Sequence, residues 1–124
     1  MAGIEKFEDI EAWKEARKLT EEIYRVTKAK AFERDIGLRE QLRRAAVSVM
    51  ANIAEGFDCG SDREFVKFLR YSMRSASELQ SHLYVALDQE YLGRESFSRL
   101  YVRSTKVKNL IGGFIRYLRS GEGL

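Results

Sequence analysis

Few side chains in this sequence are equipped for chemistry, and spacing settles most of their cases. His82 is the only histidine and Cys59 the only cysteine. Glu78 precedes His82 by four residues, which puts both near one face of a helix. A di-metal carboxylate bundle needs two Glu-x-x-His pairs and two further glutamates, and a single histidine cannot supply them. A mononuclear zinc centre needs more ligands than one histidine and one cysteine. Cys59, in "FDCGSD", has no histidine nearby in sequence to activate it as a nucleophile. No Gly-rich phosphate loop of the P-loop or dinucleotide type occurs. The chain is therefore expected to carry no metal and no cofactor, and His82 reads as an ordinary helix residue.

Acid–base chemistry would have to rest on Glu55, in "SVMANIAEGF" (residues 48–57). Ser48, Asn52 and Glu55 fall at i, i+4 and i+7 and share one side of a helix. Glu55 lies in the last helical turn, where the negative end of the macrodipole disfavours a carboxylate. A compensating arginine or helix N-terminus is then expected, and Gly56 offers the left-handed conformation that ends a helix cheaply. Ser72, Ser75 and Ser77 offer hydroxyls on the following helix. Catalysis accounts only for Glu55. A polar clasp of Ser48, Asn52, Glu55 and Gly56 between helices accounts for every residue, and is the favoured reading.

The elements that position these groups are helical. There is no proline, and the nine glycines sit mostly at ends and punctuation points, so long stretches lack breakers. Four amphipathic helices are expected at about 9–29, 37–56, 62–91 and 95–119, forming a single all-α domain over 1–124, an antiparallel up-down four-helix bundle. The first should turn Trp13, Ala16, Thr20, Ile23 and Thr27 inward. The third opens on Ser61 and Glu64, an S-x-x-E capping box. Short connections make successive helices neighbours, and no linker, repeat or low-complexity tract interrupts them.

The third helix carries two lines beyond its core face. Val66, Met73, Tyr84 and Tyr91 widen the apolar arc to about 160°, more than one bundle interface needs. That surplus suits a subunit interface, or a generous core edge with tyrosine hydroxyls reaching water. On the opposite face Arg63, Lys67, Arg70 and Arg74 lie within about 60° of one another, a line about 16 Å long beside Tyr71. The fourth helix adds Arg99, Arg103 and Lys106 on its own outer face. These rows match successive phosphates or, more plainly, are solvated helix faces. Gly112 and Gly113, inside the fourth helix, cost about 2 kcal/mol relative to two alanines and suggest close helix approach or a local bend.

At 124 residues the chain is one domain long, with 44% apolar and 33% charged residues, a globular composition. No apolar run approaches the roughly 20 residues that span a bilayer, so no membrane association is expected. The N-terminus lacks the apolar core of a signal peptide, and with one cysteine no intrachain disulfide is possible. A cytoplasmic location is the default. Net charge is +3, unevenly spread. Residues 1–60 carry 11 Lys and Arg against 12 Asp and Glu, whereas residues 61–124 carry 11 against 7. A basic half attracts phosphate backbones or an acidic partner.

The stretch "RRAAVSVMANIAEGFDCGSDREFVKFLRYSMRSASEL" resembles the signature of the bacterial 23S rRNA-intervening-sequence proteins. The similarity begins at "FEDIEAWKEARKLTEEIYRVT" and ends at "KNLIGGFIRYLRS", nearly the whole chain. The resemblance implies a small cytoplasmic four-helix bundle assembling as a homopentameric barrel. Some members are encoded inside intervening sequences of large-subunit ribosomal RNA genes. The family is similar in fold to the accessory variability proteins of diversity-generating retroelements, which bind a reverse transcriptase and nucleic acid. No catalytic residues are established for it. The chain departs from the family at Met50, often proline, in the loop "KAKAFERDIGL", which often contains proline, and at Arg74, where many members have glycine. The fourth residue of the basic line is thus not a family feature.

These readings converge on a non-enzymatic, homo-oligomeric helical-bundle protein that binds RNA or DNA or serves a nucleic-acid enzyme as an accessory scaffold. Arg63, Lys67, Arg70, Arg99, Arg103 and Lys106 are the expected phosphate contacts. The alternative is a protein–protein interaction scaffold that uses the Val66–Met73–Tyr84–Tyr91 line and has no nucleic-acid role.

Overall fold

The computed structural model describes residues 3–122; the remainder of the expected domain of 1–124 lies outside them. Four helices follow one another: α1 Glu11–Thr27, α2 Ile36–Asp58, α3 Asp62–Asp88 and α4 Arg94–Glu122, with single 3₁₀ turns at Phe7–Asp9 and Lys30–Phe32. Contacts join α1 to α2, α2 to α3, α3 to α4 and α4 back to α1. The bundle is thus a closed square in which α1 lies diagonally across from α3. Its antiparallel register is visible in the links Ser48–Ser75 and Val49–Ser72 between α2 and α3, and Glu15–Lys106 and Glu22–Arg99 between α1 and α4.

The core runs the length of the square. Leu19, Ile23, Leu42, Ile53, Leu79 and Leu100 are fully buried, and each such side chain contributes about 1.5–3 kcal/mol over leaving it in water. The inward face of α1 differs from the expected one. Ala12, Glu15, Ala16, Leu19, Glu22 and Ile23 are buried with Thr27, while Trp13 is only half-buried and packs edge-on against Phe7. The face therefore includes two carboxylates that an apolar count leaves out.

Helix ends follow local chemistry. Asp35 caps α2 by accepting the Leu38 N–H at 3.1 Å, and Ser61 caps α3 by accepting the Glu64 N–H at 3.2 Å; each satisfies a donor with no partner inside the helix. Gly60, at φ +82°, makes the turn between α2 and α3. Gly56 does not end α2, which continues to Asp58. A methyl group at Gly56 would lie 2.8 Å from both Phe65 Cδ1 and Phe68 Cβ, so the glycine is required by close approach of α3.

α3 stops at Asp88, short of the expected end at Tyr91. Glu90 takes the left-handed conformation at φ 62°. The Tyr91 and Glu90 N–H groups donate back to Ala86 and Leu87, the paired bonds of a Schellman motif. Tyr91 thereby leaves the helix line: its hydroxyl donates to Asp35 at 3.1 Å and its ring packs on Phe32, tying the α3–α4 turn to the α1–α2 loop. Burial and the bond to Asp35 both push its phenol pKa up. Among the described residues no helix is long and apolar enough to cross a membrane.

Candidate nucleic-acid interface

The two basic rows foreseen in the sequence occupy different environments. On α3, Arg63, Lys67, Arg70 and Arg74 are all exposed. None takes part in an ion pair among the described residues. They project from the side of α3 that faces away from the core residues Phe65, Leu69, Ser72 and Ala76. The Arg74 guanidinium lies over the Tyr71 ring at 5.5 Å, which stiffens it without neutralising it. Beside this row a shallow depression is lined by Arg70, Met73, Arg74 and Ser77.

On α4 the cations face carboxylates of α1. Arg99 Nε donates to Glu22 at 3.0 Å, Arg103 pairs with the other oxygen of Glu22, and Lys106 reaches Glu15 at 3.3 Å. Lys18 closes on Glu15 from the same helix at 3.1 Å. Glu15 and Glu22 stand seven residues apart, nearly two helical turns, so both point along one seam. They are 6% and 7% exposed. Burial pushes the Glu15 carboxyl up, but hydrogen bonds from Lys18 and Lys106 outweigh it and hold it below its ordinary value. Arg99, Arg103 and Lys106 thus anchor α1, a role an outer-face reading does not anticipate. The signal was legible as two glutamates among the apolar positions of α1 at a spacing of seven.

The expected apolar interface line is dispersed. Val66 is 7% exposed and belongs to the core. Met73 is half-buried against the core, and Tyr91 is committed to the turn described above. Tyr84 alone is open, 48% exposed, within an aromatic cluster with Phe97 and Tyr101 at 4.9 and 5.7 Å. Open apolar side chains also lie on α4, at Val102 (67%) and Tyr117 (54%); each lines its own depression, and Leu110 borders both.

The clasp has different membership. Ser48 and Ser75 hydroxyls meet at 2.8 Å, Asn52 donates to the Ser48 carbonyl and hydroxyl at 2.9 and 3.0 Å, and Ser72 donates to the Val49 carbonyl at 2.6 Å. Glu55 is exposed and makes no side-chain hydrogen bond among the described residues; it stands outside the clasp, because at the open end of α2 water can solvate it. Its main-chain carbonyl accepts from the exposed Cys59 thiol at 3.3 Å. A second clasp escaped sequence reasoning. Gln80 donates to Ser104 and Thr105 at 2.9 and 3.0 Å and accepts from Lys108 at 3.3 Å, pinning the register of α3 on α4.

His82 is half-buried with Glu78 3.7 Å away. Among the described residues no group of three His, Cys, Asp or Glu side chains is placed to hold a metal ion.

Comparison with known proteins bears on these observations. The family model described as 23S rRNA-intervening sequence protein matches residues 8–113. Among solved structures, the chain is similar to the crystal structure of a protein of unknown function from the S23 ribosomal protein family of Bacteroides thetaiotaomicron. The two are 23% identical, with a TM-score of 0.78 over 84% of this chain and 97% of that one, a likeness of fold. No curated protein matches.

Proposed function

Because the chain belongs to the 23S rRNA-intervening sequence protein family, we propose that it is a non-enzymatic nucleic-acid-binding bundle, or the nucleic-acid-gripping accessory of a larger enzyme. The observation that carries this is the α3 row: Arg63, Lys67, Arg70 and Arg74 are exposed and free of ion pairs among the described residues, whereas the α4 cations are held by Glu15 and Glu22. A cation already facing a carboxylate has fewer counterions to exchange, so the α3 row makes the main phosphate contacts and Arg99, Arg103 and Lys106 contribute less. The resemblance implies a homopentamer, in which five such rows would turn modest monomer affinity into avidity. The cytoplasm is the proposed location.

The open apolar surface of α4 favours a second reading, in which Val102, Leu110, Phe114 and Tyr117 meet a protein partner or another subunit. The deciding experiment is binding of the purified protein to structured RNA and to duplex DNA across a salt series. Micromolar or tighter binding, weakening by decades as salt rises, supports phosphate contact. No binding at low salt overturns it and leaves the apolar surface of α4 as the working site.

A further inference from the structure

Trp13 is the only tryptophan in the chain, and the core does not enclose it. Phe7 meets it edge-on, with ring centroids 5.1 Å apart and planes at 63°, a contact that steadies the indole while leaving it half-buried. The Arg17 guanidinium carbon lies over the indole, 5.8 Å from the ring centroid, near the outer limit of a cation–π contact. One depression on α1 is lined by Trp13, Lys14, Arg17, Lys18 and Glu21. The helix repeat explains the set: Trp13, Arg17 and Glu21 stand four apart in one line, and Lys14 and Lys18 four apart in the next. Lys14, Arg17 and Lys18 are exposed. Lys18 pairs with Glu15, whereas Lys14 and Arg17 form no ion pair among the described residues. Glu21, the carboxylate in the lining, is paired with Arg25 at 3.3 Å. The Asp9 carboxyl nearby is held below its ordinary value chiefly by the Glu5 N–H and least by Lys14.

We propose that Trp13, Lys14 and Arg17 form a stacking platform for an unpaired base in a single-stranded stretch of the bound nucleic acid. The base takes the place of the guanidinium over the indole, and Arg17 and Lys14 meet the flanking phosphates. The inference rests on the nucleic-acid reading above and adds to it the kind of segment that α1 takes. A flat aromatic face beside unpaired cations suits single strands, because every unpaired base offers a π-face and stacking is worth about 1–3 kcal/mol per base. The ring is already steadied by Phe7, so it loses less freedom on binding than a loose side chain does. α1 lies diagonally across the square from α3, so the platform holds a part of the nucleic acid that the α3 row does not. That row needs only phosphates, whereas the platform needs a base free of its pairing partner.

The single tryptophan supplies the probe. The wild-type protein is titrated at low salt with a short oligothymidylate and with an abasic strand of the same length, which keeps the phosphates and lacks the bases. Oligothymidylate is expected to quench most of the Trp13 emission, and the abasic strand to leave it nearly unchanged. Anisotropy with the same strands labelled then compares variants. Trp13→Leu, which keeps apolar bulk against Phe7, is expected to bind oligothymidylate about tenfold more weakly and the abasic strand as the wild type does. Its slope of log affinity against log salt should not change, whereas that of Lys14→Gln should be shallower by about 0.7, one single-strand phosphate's worth. Binding of oligothymidylate without quenching, or an equal loss on both strands in Trp13→Leu, refutes the platform. Binding of duplex DNA but not of oligothymidylate refutes the platform and leaves the α3 row standing. Binding of neither refutes both.

Discussion

α3 and α4 display similar rows of arginine and lysine, and the two rows have different work. The α4 cations lean on Glu15 and Glu22 across a seam that holds α1 in the square; among the described residues the α3 cations face no carboxylate, and only Arg74 has a neighbour, the Tyr71 ring. Charge counted along a helix cannot separate these cases. What separates them is the neighbour: α4 borders α1, which offers buried carboxylates, while the outer face of α3 borders no helix. A basic row becomes a candidate binding surface only when the fold has not already given it a partner.

The contrast can be broken most forcefully by charge reversal. Lys67→Glu with Arg70→Glu is expected to weaken binding to duplex DNA by at least about 100-fold at low salt while leaving the melting temperature within a few degrees. Unfolding of that variant would show that the α3 row is structural after all. The converse change is Glu22→Ala, which strands Arg99 and Arg103. Both cations are partly exposed, at 50% and 36%, so water screens the loss and stability should fall by about 1–2 kcal/mol in urea unfolding. The same variant frees two cations and should tighten nucleic-acid binding severalfold. Unchanged stability would remove the assigned role of the seam.

pH sharpens the same comparison. The Glu15 carboxyl is held below its ordinary value of 4.5 in the folded chain. Its contribution to stability is therefore complete above the unfolded value and is lost as pH falls through the lower folded one. Below about pH 4.5 the wild type should lose stability more steeply than Glu15→Gln, as read from melting temperatures in acid; parallel curves would mean that the pair with Lys106 and Lys18 contributes nothing. The smallest effect expected is from Gly112→Ala. Its methyl would meet Met73 and Arg116 at ordinary contact distance, so the helix should gain about 1 kcal/mol. A loss of stability there would mean that the glycine is needed for packing.

Much of the architecture was legible along the chain. Ser61 followed by Glu64 marked the start of α3, and periodic apolar residues marked all four helices, because capping and amphipathicity are local properties. Gly93 suggested that α3 runs to Tyr91, but the helix ends earlier because Glu90 adopts the left-handed turn while Tyr91 reaches for Asp35, a bond to a residue 56 positions away. The clasp was half legible: Ser48 and Asn52 are in it, and Glu55 is not. The seam of Glu15 and Glu22 was overlooked because α1 was phased on Trp13 and Thr20, although a spacing of seven between glutamates was there to read.

By itself the sequence determined the number, order and amphipathic character of the helices and the likeness to a family. Those follow from neighbours within a few residues, whose geometry the helix repeat imposes. Only the tertiary structure decided which charges face carboxylates and which, among the described residues, do not, and that Gly56 is needed by Phe65 and Phe68. Each depends on two helices meeting in one register, and burial and pairing are properties of that meeting which no single helix carries.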